Sequence, residues 1–154
     1  CEYIDTESGG TILAQNVSFE AGRLKELSEI FPEYNEKLTK MINMTTDLLY
    51  IIRNNTKFYE SLGFDKEEAK KVNYYHKDFS GSYSIKKTLP VLTDLSYNNL
   101  SVKNGTEALI TYAKFPYMTK EEFSQSYNDL LKYCKQDTWA MVEILKKLRE
   151  LVQK

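Results

Sequence analysis

The chain has 154 residues, enough for one domain with a sizeable core, and its 42% hydrophobic content excludes a disordered polar chain. The 21 Lys and Arg residues are nearly balanced by 22 Asp and Glu residues, so the net charge of −1 argues against a protein that coats polyanions, although a local basic groove stays open. Two cysteines give neither a disulfide framework nor a metal-ligand spacing, and no apolar run could span a membrane, so we expect a cytoplasmic protein without membrane contact.

The first sixteen residues predict a loop followed by a short buried strand. The letters "CEYID" are typical of the end of a helix, and "TESGG" of the loop after it. The apolar run "TILAQN" (Thr11 to Asn16) is bounded by Gly and Asn and predicts a strand. Because the chain starts at Cys1 without an initiator Met, we also expect that it was cut from a longer protein.

Two helices are predicted after this strand, separated by Pro32. The segment "FEAGRLKELSEIF" has helical spacing, and its apolar positions expected to face inward are Leu24, Leu27, Ile30 and Phe31. The segment "PEYNEKLTKMINM" predicts the second helix, with inward positions Leu38, Met41 and Ile42. The following "TTDLLYII" is both β-branched and apolar, so its period does not decide between strand and helix.

The second half of the chain is predicted to be helical. Asp65 and Glu68 form a capping box, and "SGSYSIKKTLPVL" indicates a loop and a short helix. Asn104 and Gly105 would permit a hairpin turn, but the spacing of the apolar residues favours a helix after Gly105. The apolar positions expected on its shared face are Ala108, Leu109, Tyr112 and Ala113.

The last helix has the clearest signals. Thr119 and Glu122 form a second capping box, and apolar positions continue from Phe123 to Val152, with Cys134 and Met141 among those expected in the core. Unbroken, this helix would exceed roughly 30 residues. The elements together predict a helix-rich α/β chain. Its strand at Thr11 to Asn16 must pair with "TTDLLY", with another segment, or with sequence preceding Cys1.

One carboxylate falls close to the apolar face of this last helix. Tyr133 and Asp137 are four residues apart, so they lie on the same helix face. A mid-helix Asp beside an apolar stripe loses solvation unless it is paired or binds a metal. The spacing alone favours a salt bridge with a lysine at the edge of the stripe.

Two other groups of acidic residues stand near the predicted strand. Asn16 ends the strand and Glu20 lies in the first turn of the next helix, where the positive helix end favours an ionised carboxylate that suits Mg²⁺, although this is also ordinary helix-end chemistry. Asp5 and Glu7 have D-x-E spacing, but they precede Asn16 too closely to lie on a neighbouring strand. We therefore predict that Asp5 and Glu7 are exposed and non-catalytic.

Four stretches taken together resemble a known bacterial family. They are, in chain order, "ILAQNVSFEAGRLKELSEIFPEYNEKL", "TTDLL", "GSYSIKKTLPVL" and "YCKQDTWAMVEIL". They are similar to a bacterial domain of unknown function within the DnaQ-like (DEDD) superfamily of 3′–5′ exonucleases, which has a ribonuclease-H-like fold. The resemblance covers nearly the whole chain. Its most specific parts are the pairing of N-x-x-F-E with Y-x-x-x-D and the string "GSYSIKK" followed by "LP".

The resemblance implies a two-metal nuclease site. The superfamily holds two ions, here Mg²⁺ or Mn²⁺, through four carboxylates: two in a D-x-E on the first strand, one in a second motif and one in a Y-x-x-x-D motif. Asn16 and Glu20 match the second motif, and Tyr133 and Asp137 match the last one in its tyrosine form. Glu20 and Asp137 are then expected to bind metal, with Tyr133 orienting the attacking water; Asp47 matches a recurrent, structural Asp.

The resemblance also implies a substrate, the single-stranded 3′ end of DNA or RNA. Asn16, Lys86 and Lys87 are the expected substrate contacts, although both lysines could equally be solvated. Tyr83 could stack on a base, but a core position is favoured.

The departure from the family pattern concerns the first motif. It belongs on a strand some tens of residues before the second motif, and Asp5 and Glu7 cannot replace it. We therefore predict that residues 1–154 are the C-terminal part of a single ribonuclease-H-like domain that lacks its first strands and is inactive alone. Its expected partner is the remainder of that nuclease domain, and an exposed strand edge could also allow self-association.

Two other functions stay open. The first is a non-catalytic binding or scaffold module on the same fold, because fold does not fix chemistry. The second is a helical interaction domain unrelated to nucleases. A D-x-E on a strand that precedes this region would favour the enzyme, and its absence would favour the scaffold.

Overall fold

The structure, a computed structural model, describes residues 3–153, so the prediction that rests on Cys1 lies outside the described residues. The chain divides into two compact units, residues 1–83 and 84–154, which we call the N-terminal unit and the C-terminal unit. The structure is 64% helical and contains a small parallel sheet of two strands, which confirms the helix-rich α/β prediction. No helix within residues 3–153 is long and apolar enough to cross a membrane.

The N-terminal unit contains a sheet and several helices. Its elements are β1 (Ile12–Ala14), α1 (Val17–Ile30), a 3₁₀ turn (Pro32–Tyr34), α2 (Asn35–Asn43), β2 (Thr45–Asp47), α3 (Leu49–Ile52), α4 (Thr56–Ser61), α5 (Lys66–Ala69) and a second 3₁₀ turn (Lys77–Phe79). The predicted strand, the break at Pro32 and the Asp65 cap are confirmed: the Asp65 carboxylate accepts hydrogen bonds from the N–H groups of Glu67 and Glu68. The ambiguous "TTDLLYII" contains both a strand and a helix.

The sheet pairs β1 with β2 in parallel, and α1 and α2 connect the two strands. Ile12 lies opposite Thr45, and Ala14 lies opposite Asp47. Because parallel strands run in the same direction, the end of β1 and the end of β2 lie at the same edge of the sheet. The register therefore brings Asp47 next to the start of α1.

The buried face of α1 differs from the predicted one. Leu27, Ile30 and Phe31 are exposed, with 41%, 65% and 45% of their surface accessible. The buried residue of the helix is Ser28, one turn after the half-buried Leu24, and its hydroxyl donates to the Lys25 carbonyl oxygen at 2.7 Å. The side of α1 that faces the core therefore carries the small residue Ser28, whereas the prediction placed the more hydrophobic side of the helix inward.

The segment before β1 is also corrected. Tyr3 to Asp5 are not helical, and the rest of the predicted helix end lies outside the described residues. The Asp5 carboxylate accepts hydrogen bonds from the N–H groups of Glu7 and Ser8 at 2.8 and 3.1 Å, which closes a turn. The hydrogen bonds to Ser8 and Glu7 lower the pKa of the Asp5 carboxyl to about 2. Glu7 in turn pairs with Lys40 of α2 at 2.9 Å.

The C-terminal unit consists of helices. Its elements are α6 (Ile85–Leu92), α7 (Gly105–Ala113), a 3₁₀ turn (Phe115–Tyr117) and α8 (Lys120–Val152). Both α6 and α7 pack on α8. The predicted helix after Gly105 is confirmed, but Leu109 and Tyr112 on its expected inward face are 68% and 65% exposed.

The long last helix is confirmed as one continuous element of 33 residues, about 50 Å at 1.5 Å per residue. Its fully buried residues are Ala140 and Ile144. Cys134, which was expected in the core, is exposed, and Met141 is only half-buried. The packed face of α8 is thus rotated by about one residue from the predicted stripe, toward Ala140 and Ile144.

The capping box of α8 is formed as the sequence predicts. The Glu122 N–H donates to the Thr119 hydroxyl at 3.3 Å, and the Glu122 carboxylate accepts from the Thr119 N–H at 2.8 Å. We expect Thr119→Ala to lower the free energy of unfolding of the C-terminal unit by about 1 kcal/mol in urea titrations. Ser124→Ala, an exposed position within the same helix, is the control and should be neutral; equal losses for both variants would contradict a capping role.

Candidate functional site

Asp47 is a buried carboxylate that connects the ends of three elements. It is 4% exposed at the end of β2. One of its oxygens accepts hydrogen bonds from the N–H groups of Asn16 (3.0 Å) and Leu49 (2.9 Å), and the other accepts from Val17 (2.9 Å). The carboxylate therefore joins β2 to the first residues of α1 and α3, which agrees with the structural role expected for it.

Asn16 and Glu20 lie at the start of α1. Asn16 adopts the left-handed backbone conformation at φ +78°, which Asn tolerates better than most residues, and this conformation turns the chain from β1 into the helix. Its side-chain oxygen accepts a hydrogen bond from the Ser18 hydroxyl at 2.9 Å. Glu20 lies in the first turn of α1 and is exposed, so its carboxylate is accessible from solvent.

An open pocket of about 300 Å³ lies beside Asn16 in the N-terminal unit. Asn16, Asp47, Arg53 and Asn54 contribute polar groups to its wall. The Asn54 side-chain amide is engaged by backbone carbonyls of residues 69, 70 and 72. Hydrogen bonds within the N-terminal unit thus hold the Asn54 part of this wall in place.

Tyr133 and Asp137 of α8 form a cluster with a third residue, Tyr97. The Tyr97 hydroxyl donates to Oδ1 of Asp137 at 2.5 Å, and Tyr133 lies close enough for the negative charge of Asp137 to raise its pKa. The rings of Tyr97 and Tyr133 lie 6.0 Å apart between centroids. Asp137 is half-buried because it lies one turn before Ala140, on the packed face of the helix.

The environment keeps both phenols protonated at neutral pH. Burial raises the pKa of Tyr97 far above its usual value, and the hydrogen bond to the Asp137 carboxylate and its negative charge raise it further. The pKa of Tyr133 is raised by burial first, then by the charge of Asp137. Within residues 3–153 the Asp137 carboxylate therefore accepts a hydrogen bond from the Tyr97 hydroxyl and does not form the salt bridge to a lysine that the spacing alone favoured.

Tyr97 was not found from the sequence. It lies 40 residues before Asp137, in "LSYNNL" between α6 and α7, where no helical period or motif distinguishes it among twelve tyrosines. Only the packing of this loop on α8 brings its hydroxyl to the carboxylate. The only signal in the sequence was a tyrosine within a loop of mixed polar and apolar residues, and this signal is not specific.

Tyr97→Phe is expected to lower the free energy of unfolding of the C-terminal unit by about 1.5–3 kcal/mol at pH 7, because a hydrogen bond to a charged group is lost. Urea titration followed by far-UV circular dichroism measures this change. Tyr117→Phe is the matched control, because this residue is 88% exposed and removal of its hydroxyl should change the free energy of unfolding little.

The raised pKa of Tyr97 also gives stability a pH dependence. The folded state holds the phenol proton above pH 10, where the unfolded chain releases it, so the contribution is complete below pH 10 and decreases as pH rises above it. Above pH 10 we expect this phenol to lower the free energy of unfolding by up to about 1.4 kcal/mol per pH unit. In Tyr97→Phe the free energy of unfolding should decrease less steeply with pH. Identical slopes in the two proteins would contradict the assignment.

The predicted substrate lysines are accessible. Lys86 and Lys87 lie in the first turn of α6 and are exposed, while the next residues, Thr88 and Leu89, are fully buried. Tyr83 is half-buried, and its hydroxyl shares its proton between the Asn73 side-chain oxygen at 3.2 Å and the Tyr74 carbonyl oxygen at 3.0 Å.

The two residues predicted to bind metal, Glu20 and Asp137, belong to different units of the chain. Each is a carboxylate, the kind of oxygen donor that Mg²⁺ or Mn²⁺ prefers. Within residues 3–153, however, no group of three or more His, Cys, Asp or Glu side chains could hold a metal ion. Asp5 and Glu7 are exposed, as predicted.

Comparisons with known proteins identify relatives of uncharacterised function. The family model "Domain of unknown function (DUF2779)" matches residues 1–84. The chain is 28% identical over 166 residues to the uncharacterized protein MG366 of Mycoplasma genitalium, with 99% of this chain and 22% of that protein covered. It is 30% identical over 155 residues to the uncharacterized protein UU173 of Ureaplasma parvum serovar 3, with 91% and 21% covered. The chain thus spans about a fifth of the length of these curated relatives, and no solved structure matches it significantly.

Proposed function

This chain belongs to the DUF2779 family, and from that premise we propose that it is the C-terminal portion of a two-metal-dependent 3′–5′ exonuclease domain of the DnaQ-like (DEDD) superfamily, with a ribonuclease-H-like fold. Its substrate is the single-stranded 3′ end of DNA or RNA in the cytoplasm. The remaining metal ligands are supplied by the parent protein outside this chain.

The observation that supports this proposal best is the environment of Asp137. A carboxylate on the packed face of a helix loses solvation, and here the Tyr97 hydroxyl compensates by donating a hydrogen bond without adding a positive charge. Because this donor is neutral, the carboxylate can still bind a cation. A salt-bridged Asp137 would have favoured a purely structural role.

The residues of this chain have separate tasks in the proposed reaction. Bound metal ions would supply an activated water and stabilise the leaving oxygen. Tyr97 fixes the orientation of the Asp137 carboxylate through Oδ1. Tyr133 stays protonated, so its hydroxyl can donate a hydrogen bond to a water or a phosphate oxygen. Exposed Lys86 and Lys87 offer ammonium groups to backbone phosphates.

The proposal is tested by comparing this chain with the full-length parent on 5′-labelled single-stranded DNA and RNA. We expect the parent to shorten the oligonucleotide from its 3′ end with Mg²⁺ or Mn²⁺ and to stop on chelation. The 154-residue chain alone is expected to be inactive, because it lacks a D-x-E motif on a strand. Metal-dependent digestion by the chain alone, abolished by Asp137→Asn, would refute its description as an incomplete site, and an inactive parent would refute the nuclease.

A second candidate is a non-catalytic binding or scaffold module on the same fold. It is favoured by one observation: across residues 3–153 no cluster of three potential metal ligands is formed. In this case the Tyr97–Asp137 hydrogen bond is purely structural. A parent that lacks a D-x-E on a preceding strand and binds oligonucleotide without cleaving it would support this candidate.

A further inference from the structure

The open pocket beside Asn16 lies at the edge of the sheet where both strands end. Asn16 lies two residues after β1, and Asp47 is the last residue of β2. Ligands of parallel α/β sheets bind outside the carboxyl ends of the strands. At about 300 Å³ the pocket is at the lower end of the range for ligand pockets, roughly 300–1,000 Å³. It can therefore hold a group larger than a single ion.

Arg53 brings a positive charge to the pocket wall. Its side chain is exposed, and within residues 3–153 the guanidinium forms neither an ion pair nor a hydrogen bond. Its backbone, in contrast, is held on both sides. Ile52 is 1% exposed and its carbonyl oxygen accepts from the Tyr74 N–H at 2.8 Å, while the Asn54 amide is held by the carbonyl oxygens described above. The fold thus fixes where this side chain starts and leaves its donors unused.

Two asparagine side chains in the same wall also have unused donors. The side-chain oxygen of Asn16 accepts from the Ser18 hydroxyl at 2.9 Å, and that of Asn55 accepts from the Phe58 N–H at 3.0 Å. Both oxygens are therefore engaged, and neither N–H₂ group has an acceptor within the described part of the chain. A guanidinium and two amide N–H₂ groups together suit the oxygens of an anion.

Asp47 is the one acid among the described residues that line the pocket, and its charge is already compensated. It is 4% exposed, and its carboxylate accepts the three backbone N–H groups described above. Little acceptor capacity is left for a cationic ligand. The unused charge in the wall is that of Arg53, so the pocket favours an anionic ligand.

Tyr50 adds an aromatic ring to the wall. It is half-buried, and its ring centroid lies 5.6 Å from that of Phe58. Proteins that bind single-stranded nucleic acids combine positive charge along the backbone with aromatic rings on which bases stack. The planar guanidinium matches the geometry of a phosphate group. A pocket that offers both groups therefore fits a nucleotide better than a simple inorganic anion.

We propose that this pocket binds one nucleotide unit of a single-stranded nucleic acid, with Arg53 bonding its phosphate and Tyr50 contacting its base. The proposal rests on the substrate class of the proposed function and gives the predicted contact Asn16 three neighbours in the same wall, Arg53, Tyr50 and Asn55. All the described residues that line the pocket belong to the N-terminal unit, and the binding needs no metal ion.

Fluorescence anisotropy of labelled oligo(dT) with the 154-residue chain in EDTA tests this proposal without catalysis. Arg53→Gln is expected to raise Kd by about tenfold or more, the scale of one lost hydrogen bond to a charged group. It should also reduce the slope of log Kd against log salt concentration by about 0.7. Arg53→Lys keeps the charge but not the planar fork, so its Kd should lie between the two. The matched control is Arg149→Gln, an exposed arginine of α8, which should leave Kd unchanged.

Equal weakening by Arg53→Gln and Arg149→Gln, or no binding of oligo(dT) to the chain, overturns the proposal. In NMR spectra of the unmodified chain, thymidine 5′-monophosphate should shift the signals of the Tyr50 ring and the Asn55 N–H₂ group. If Asn55 alone shifts, and equally with inorganic phosphate, the pocket is a plain anion site and the nucleotide assignment is wrong.

Failure of this proposal can be told apart from failure of the nuclease. An inactive parent, with oligo(dT) binding that still depends on Arg53, would refute the nuclease and support the nucleotide pocket. An active parent, with binding that Arg53→Gln does not change, would refute the pocket alone.

Discussion

Replacing Asp137 by Asn in the full-length parent is expected to slow metal-dependent digestion of single-stranded oligonucleotide by at least about 100-fold, the scale on which altered metal sites lose activity. The substitution removes the negative charge and one strong oxygen ligand. It keeps the side-chain shape, and the amide oxygen can still accept the hydrogen bond from Tyr97 that Oδ1 accepts now. The loss should therefore appear mainly in turnover and metal requirement, while folding loses only the difference between a hydrogen bond to a charged oxygen and one to a neutral oxygen.

The control for this prediction is on the same helix. Asp129→Asn changes an acid two turns earlier, whose carboxylate bonds Gln125 and lies 3.5 Å from Lys132. The digestion rate of Asp129→Asn should stay within about twofold of that of the unmodified parent. If Asp137→Asn and Asp129→Asn have the same rate while both variants unfold at the parent's midpoint, Asp137 has no part in catalysis and the scaffold module becomes the better description.

The elements that were predicted correctly depend on local chemistry. Asp65 and Thr119 lie at helix starts because their side-chain oxygens accept the unpaired N–H groups of the first turn, and neighbours in sequence are sufficient for that bond. Pro32 interrupts the helices because it lacks an N–H. The strand at Ile12–Ala14 is bounded by Gly10 and Asn16, which both adopt positive φ angles. These features could be predicted without tertiary information.

The faces of the helices could not be predicted in the same way. Apolar character selected Leu27 and Ile30 of α1 and Cys134 of α8, all of which are exposed. The packed positions are instead Ser28 and Ala140, small residues that permit close approach of another element. The inner face of each helix is thus set by contacts with residues distant in sequence, which the spacing of apolar residues alone does not show.

The candidate site was predicted in its local parts only. Tyr133 and Asp137 share a face because they are four residues apart, and Asn16 follows a strand because the apolar run stops before it. Tyr97 and the three N–H donors to Asp47 come together only in the folded chain. Whether Glu20 and Asp137 bind metal stays a prediction.

Replacing Asp47 by Ala is expected to lower the free energy of unfolding of the N-terminal unit by about 3–5 kcal/mol. The buried carboxylate accepts three backbone N–H groups, and each buried donor left without a partner costs about 1–3 kcal/mol. The expected loss lies at the lower end of the summed cost for three donors, because Asn16 is exposed and water can hydrogen-bond its N–H. Urea unfolding, with peptide-level hydrogen exchange over residues 11–52 to localise the change, measures the effect.

Asp47→Asn should cost less than Asp47→Ala, and the order of the two tests the geometry. An amide oxygen in the place of Oδ1 still serves Asn16 and Leu49, but the amide N–H₂ then faces the Val17 N–H, donor against donor. Asp94→Ala, an exposed acid, should change the free energy of unfolding by less than about 0.5 kcal/mol. If Asp47→Ala were as mild as Asp94→Ala, the start of α1 would be held by something other than this carboxylate, and the alignment of Asn16 and Glu20 at the end of the sheet would need another cause.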